Sequence, residues 1–184
     1  MNRISICIIG VFVLSAVAVA EPNIVLNTYY LQPNQTGQSI PIYVTGAGSV
    51  QGLEFNVRIG GGTSGPIFED VDILTGTIFD GNNTGVNPGS YINPRDAYLG
   101  TTTVSGSALT DGLLATLTID TTGLFEGQYS LSLIDTLEGR TNFAGVSADI
   151  TDGSIIIIPE PTSLVLMLVG AGLIAHRRRN KSRH

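Results

Sequence analysis

From Leu53 to Ile59 the chain reads Leu53-Glu54-Phe55-Asn56-Val57-Arg58-Ile59, apolar and polar residues alternating without a break. Side chains on an extended strand point to opposite faces in turn, so Leu53, Phe55, Val57 and Ile59 make one wall of a core while Glu54, Asn56 and Arg58 look away from it. A helix would scatter the same residues around its circumference. The alternation returns at Ala115, Leu117 and Ile119, set against Thr116, Thr118 and Asp120, and continues through Tyr129, Leu131 and Leu133.

Runs of this kind recur along the chain, separated by turn-forming residues. They predict strands over residues 23–31, 38–44, 50–59, 68–74, 77–79, 97–104, 113–120, 128–134 and 154–158. No helical periodicity lies between them. The fold class expected is all-β, a two-sheet antiparallel β-sandwich. Tyr29 and Tyr30 are neighbours on one strand, so one belongs to the core and the other to the surface. The final run, Ile155 to Ile158, is apolar on both faces and is expected to be covered on both sides.

The two ends of the chain are of a different kind. Residues 1–20 carry Arg3, an apolar stretch from Ile4 to Val19, and Ala18-Val19-Ala20 ahead of Glu21-Pro22. Small residues at Ala18 and Ala20 are what a signal peptidase pocket admits, so export is expected, with cleavage before Glu21. At the other end Pro159-Glu160-Pro161 removes two backbone donors and stops the last strand. An uncharged run follows over 164–175, read as a short C-terminal hydrophobic helix, and then a basic end over 177–183 beginning Arg177-Arg178-Arg179. Twelve residues of helix span roughly 18 Å against a hydrocarbon core of about 30 Å, so the run reads as a sorting segment more than as a permanent span. The arginines hold its end on the cytoplasmic side.

This layout resembles the PEP-CTERM sorting signal of exported bacterial proteins: Pro159, Glu160 and Pro161 match the name-giving motif, 164–175 the hydrophobic segment, and Arg177, Arg178 and Arg179 the basic cluster. The resemblance covers residues 159–184. It implies that a membrane-embedded exosortase recognises the tail while it sits transiently in the inner membrane, cuts near the tripeptide, and delivers the product to the cell envelope or an exopolysaccharide matrix.

Between the ends, residues 21–158 form one domain, long enough to bury roughly 65 to 70 % of its unfolded surface. It holds fourteen acidic residues against Arg58, Arg95 and Arg140, a net charge near −11. That surface repels nucleic-acid phosphates, so no nucleic-acid partner is expected. The one cysteine, Cys7, and both histidines, His176 and His184, lie outside the domain, and it has no lysine. Serine and cysteine triads, Schiff-base chemistry and histidine-ligated zinc are thereby excluded, and no cofactor is implied. A glycosidase carboxylate pair remains conceivable on acid content alone, although the chain has no tryptophan on which sugar rings stack. No enzyme is expected and no catalytic residue is assigned.

Two clusters offer oxygen ligands for calcium, Glu69-Asp70-Val71-Asp72 and Asp80-Gly81-Asn82-Asn83, with Asp70, Asp72 and Asp80 as candidates. The competing account is a charged strand edge followed by an Asp-Gly turn. A turn-rich loop over 81–95 carries Tyr91, with Tyr98 just beyond, and tyrosine on a loop offers a flat face to a peptide or a sugar.

The strands beginning Val50-Gln51-Gly52-Leu53-Glu54-Phe55, Gly112-Leu113-Leu114-Ala115-Thr116-Leu117 and Asp152-Gly153-Ser154-Ile155 resemble those of cohesin-type and related carbohydrate-binding β-sandwiches. That resemblance implies a nine-stranded jelly roll whose faces bind a protein module or a polysaccharide. No dockerin-type calcium repeat occurs in the chain. The function expected from the sequence is a non-enzymatic exported envelope or matrix protein with a structural or adhesive domain; the alternative is a cohesin-like recognition domain.

Overall fold

A computed structural model describes residues 21–159 except 47, 135–140 and 145. In chain order its strands are β1 (Asn23–Val25), β2 (Thr28–Leu31), β3 (Gln38–Thr45), β4 (Ser49–Val50), β5 (Gly52–Ile59), β6 (Ile67–Asp72), β7 (Tyr91–Asn93) and β8 (Asp96–Thr102). They continue with β9 (Ala108–Leu109), β10 (Gly112–Asp120), β11 (Gly127–Leu133), β12 (Asn142–Phe143), β13 (Val146–Ser147), β14 (Asp149–Thr151) and β15 (Gly153–Ile157).

The strands make the expected sandwich. One sheet runs β14-β1-β3-β10-β6; the larger runs β13-β12-β5-β11-β15-β2, with β8 on the other edge of β5 and β7 outside β8. A short ribbon joins β4 to β9. The alternation places residues as the sequence requires: Leu53, Phe55, Val57 and Ile59 of β5 are buried, as are Ala115, Leu117 and Ile119 of β10 and Leu131 and Leu133 of β11. A register shift between Leu113 and Ala115 turns Leu114 inward as well. Fully buried Phe55, Phe79 and Phe143 fill the space between the sheets.

The first predicted strand is two. β1 pairs with β3 in the smaller sheet, whereas β2 pairs with β15 in the larger. The end of the domain repeats the manoeuvre, β14 lying in the smaller sheet and β15 in the larger. The two crossing segments run side by side and parallel, Asn23–Val25 against Asp149–Thr151 and Thr28–Leu31 against Ser154–Ile157. The antiparallel sandwich is therefore closed by a parallel pair in each sheet, a connection that alternation within one segment does not encode. Gly153 permits the crossing. A Cβ there would land on the carbonyl oxygen of Asn27 and the backbone of Leu26, and only glycine tolerates so close an approach.

Two local expectations are corrected. Residues 77–79 are a turn, not a strand: Asp72 Oδ1 accepts hydrogen bonds from the N–H of Leu74 and of Thr75 at 2.7 and 2.9 Å, and Thr77 Oγ1 donates to the Ile73 carbonyl at 2.9 Å. Local side-chain bonds of this kind compete with a strand ladder, and the turn instead drives Phe79 into the core. The last strand is covered on one side only. Ile155 and Ile157 are buried, Ile156 is half-buried on the outer face, and Ile158 beyond the strand end is 42 % exposed.

Candidate functional site

Each sheet has one face in the core and one face outward, so the outward faces are where the domain meets anything else. On the larger sheet β5 and β8 pair along the whole of Gly52–Arg58, and β7 adds Tyr91 opposite Tyr98. Residues of one pleat phase share the outer face. Reading along it, the pairings line up Arg58, Asp96 and Asn93 in one row, then Asn56, Tyr98 and Tyr91, then Glu54 and Gly100.

The Tyr91 and Tyr98 rings are 6.1 Å apart between centroids and tilted by 38°, within the separation at which aromatic pairs attract. Tyr91 is 41 % exposed and Tyr98 is partly covered beneath it. Burial pushes the Tyr98 phenol above its ordinary pKa, and the negative charge of Glu54, reinforced by a hydrogen bond between the two side chains, adds to the rise. Glu54 is fixed from its other side, its Oε2 accepting from Asn142 Nδ2 at 2.6 Å. Arg58 Nη2 donates to Asp96 Oδ2 at 3.1 Å and closes the row below. The face thus carries an aromatic pair between a held carboxylate and an ion pair, all on strands backed by the core.

The stretch over 81–95 is a loop, as expected, except for β7 at Tyr91–Asn93, and it is tied to the edge of β8. The Thr84 N–H donates to the Thr102 carbonyl at 2.9 Å and the Asn87 N–H to the Gly100 carbonyl at 2.7 Å, after which β7 completes the pairing. Gly85 and Gly89, at φ of 83 and 90°, turn the chain around these two ties. Tyr91 stands over Tyr98 on the outer face.

Of the calcium candidates, Asp72 and Asp80 accept backbone hydrogen bonds and Asp70 is exposed on β6. Glu69 Oε2 accepts from the Gly37 N–H at 2.8 Å, Asp72 holds its own turn, and Asp80 Oδ2 accepts from the Gly76 N–H at 3.1 Å. Among the described residues no three of His, Cys, Asp and Glu gather as a metal-binding group. Among the same residues no helix is long and apolar enough to cross a membrane. Ala18 and Ala20, and the tail from Glu160 through Pro161 to Arg177, Arg178 and Arg179, lie outside the described residues. Glu21 and Pro159 are the exposed ends of what is described. Glu54, Asn142, Arg58 and Asp96 were not singled out from the sequence. The outward phase of β5 was a signal for Glu54 and Arg58, and Asn93-Pro94 was a turn signal for the hairpin.

Solved structures of similar fold exist. A non-cellulosomal cohesin from the archaeon Archaeoglobus fulgidus superposes with a TM-score of 0.52 at 16% identity, over 77% of this chain and 94% of that one. The fold is cohesin-like. The seventh ScaB type I cohesin from Pseudobacteroides cellulosolvens gives a TM-score of 0.56 at 14% identity over 78% and 96% of the two chains. A cohesin–dockerin complex from Clostridium thermocellum, Coh-OlpA with Doc918, gives 0.57 at 11% over 75% and 99%. Identities this low establish the cohesin-like fold and nothing finer. No family model matches the chain, and no curated protein matches it.

Proposed function

We propose that the domain is a non-catalytic recognition module that binds a protein through the outer face of the larger sheet. The observation that carries this is the Tyr91–Tyr98 pair, held at 6.1 Å on β7 and β8 beside a carboxylate that Asn142 fixes at 2.6 Å. Tyrosine anchors with few rotatable bonds, backed by a rigid scaffold and rimmed by charge, are the composition of a binding hot spot. The cohesin-like fold supports the reading, since cohesins such as Coh-OlpA form complexes with dockerin modules. A polysaccharide is the competing ligand. No tryptophan occurs anywhere in the chain, and among the described residues the other exposed tyrosine on this sheet's outer face, Tyr30, is on β2 at the far edge from the pair, so a protein surface fits better.

Export before Glu21, and sorting to the envelope or extracellular matrix through Pro159-Glu160-Pro161 and Arg177 to Arg179 by an exosortase-type enzyme, belong to the same proposal. They rest on the sequence pattern of the two ends. A passive matrix component with no partner is the opposing outcome.

The test recovers the native protein from the envelope together with whatever it holds. Tyr91→Ala should reduce the co-recovered partner by about tenfold, the effect of removing a central aromatic anchor. Tyr43→Ala, on the outer face of the other sheet and 56 % exposed, should leave recovery unchanged. Equal recovery with both variants would remove the face as a binding surface.

A further inference from the structure

We propose that a cleft at one end of the same outer face seats a single carboxylate carried by the partner polypeptide; this rests on reading that face as a recognition surface. The cleft is open to solvent, has a volume of about 530 Å³ and is lined by Arg58, Gly61, Gly62, Asn93, Arg95 and Asp96. It adjoins the aromatic pair, because Arg58, Asp96 and Asn93 form the row next to Asn56, Tyr98 and Tyr91.

The domain has three arginines against fourteen acids, and two of the three meet here. Arg58 has Asp96 at 3.1 Å, the ion pair found among the described residues. Arg95 instead donates through Nε to the Gly65 carbonyl at 2.9 Å, with no carboxylate within ion-pair distance among those residues. A guanidinium presents five donors in a fork that matches a carboxylate. One bond from each arginine is taken up by described residues, and both side chains belong to residues that line the cleft.

One wall is bare backbone. Gly60, Gly61 and Gly62 have φ of 54, 65 and 82°, left-handed values that side chains resist, and a Cβ on Gly61 would meet nothing within 4 Å. A chain can therefore approach the arginines without displacing a side chain. No aromatic ring lines the cleft, which favours a peptide carboxylate over a uronic-acid sugar. The surrounding charge near −11 repels a partner that is acidic throughout. The occupant is then one Asp or Glu on an otherwise neutral or basic segment.

The probes are the blocked peptide acetyl-Gly-Glu-Gly-amide, its Gln counterpart and digalacturonate, each titrated into full-length ¹⁵N-labelled protein in neutral detergent. The Glu peptide should shift the Gly61 and Gly62 amides saturably, and the Gln peptide should bind about tenfold more weakly, as expected for loss of a charge-assisted pair. Arg95→Gln should weaken the Glu peptide by a similar factor while the spectrum elsewhere stays folded; Arg95 is chosen because losing Arg58 would strip Asp96 of its ion pair. Equal binding of the Glu and Gln peptides, tighter binding of digalacturonate, or no saturable shift would overturn the assignment. If the cleft fails in this way while Tyr91 still governs partner recovery, the carboxylate seat falls alone. If the cleft binds and Tyr91→Ala changes nothing, the recognition face falls.

Discussion

Thr141 completes the edge of β5 with its side chain: its Oγ1 accepts from the Asn56 N–H at 3.0 Å and donates to the Asn56 carbonyl at 3.1 Å. β11 pairs with β5 from Val57 to Ile59, and β12 takes over at Glu54. Between them the Asn56 carbonyl accepts from the Ile134 N–H at 2.9 Å, and Thr141, itself 2 % exposed, gives the Asn56 N–H its acceptor and the same carbonyl a second donor. A buried backbone pair left unmade costs its desolvation.

Thr141→Val keeps the shape and removes both bonds. The expected loss is about 1–3 kcal/mol, read from the urea midpoint at unchanged m-value. Because Asn142 follows directly and holds Glu54, partner binding should weaken together with stability.

Gly153→Ala tests the crossing of the two terminal segments. The added methyl has to push apart Gly153 and the Leu26–Asn27 backbone, and overpacking of this sort costs about 1–3 kcal/mol. The same change at Gly61, with open space around it but a φ of 65°, should cost only about 1 kcal/mol of backbone strain.

The fold was legible to the extent that one segment's pattern could carry it. Alternation in β5, β10 and β11 assigned the core correctly, and Tyr29 packs against the core while Tyr30 is 64 % exposed. What escaped was decided between distant segments. The parallel pairing of the first and last strands depends on Gly153 meeting Asn27, a contact 126 residues apart. The turn at 77–79 depends on Asp72 capping its own loop. Tyr91 and Tyr98 were identified as candidates, but Glu54 and Asn142 meet only because β12 lies beside β5. Of the tail, Pro159 alone is among the described residues.

The raised phenol of Tyr98 predicts behaviour in alkali. The unfolded chain releases this proton near pH 10 and the folded domain at a higher pH, so above about pH 10 the folded state binds more protons and stability falls as pH rises. Tyr98→Phe should flatten that part of the stability curve, although Tyr29, raised chiefly by burial, retains a share of the slope.

Asp72 predicts the opposite limb. Burial opposes its ionisation, but the hydrogen bonds from Thr75 and Leu74 outweigh it and hold the carboxyl below its usual range. Its contribution is present above the unfolded value of about 3.9 and is lost as pH falls through the folded one. Asp72→Asn should reduce the acid slope of stability below about pH 4.

Processing of the ends is checked by intact mass. Native protein from the envelope should begin at Glu21 and end near Pro161. Replacing Glu160, or Arg177 to Arg179 together, should leave precursor that retains His184 in the inner membrane. Normal maturation of those variants would show that the tail is not read as a sorting signal.

The recognition face is tested most directly by photo-crosslinking in the native envelope, with benzoylphenylalanine placed at Tyr91 in one strain and at Tyr43 in another. The account predicts one discrete protein adduct from position 91 and none from position 43, since only the first lies beside Tyr98 on the larger sheet. The same adducts from both positions, or none from position 91 in protein that is folded and correctly located, would contradict it.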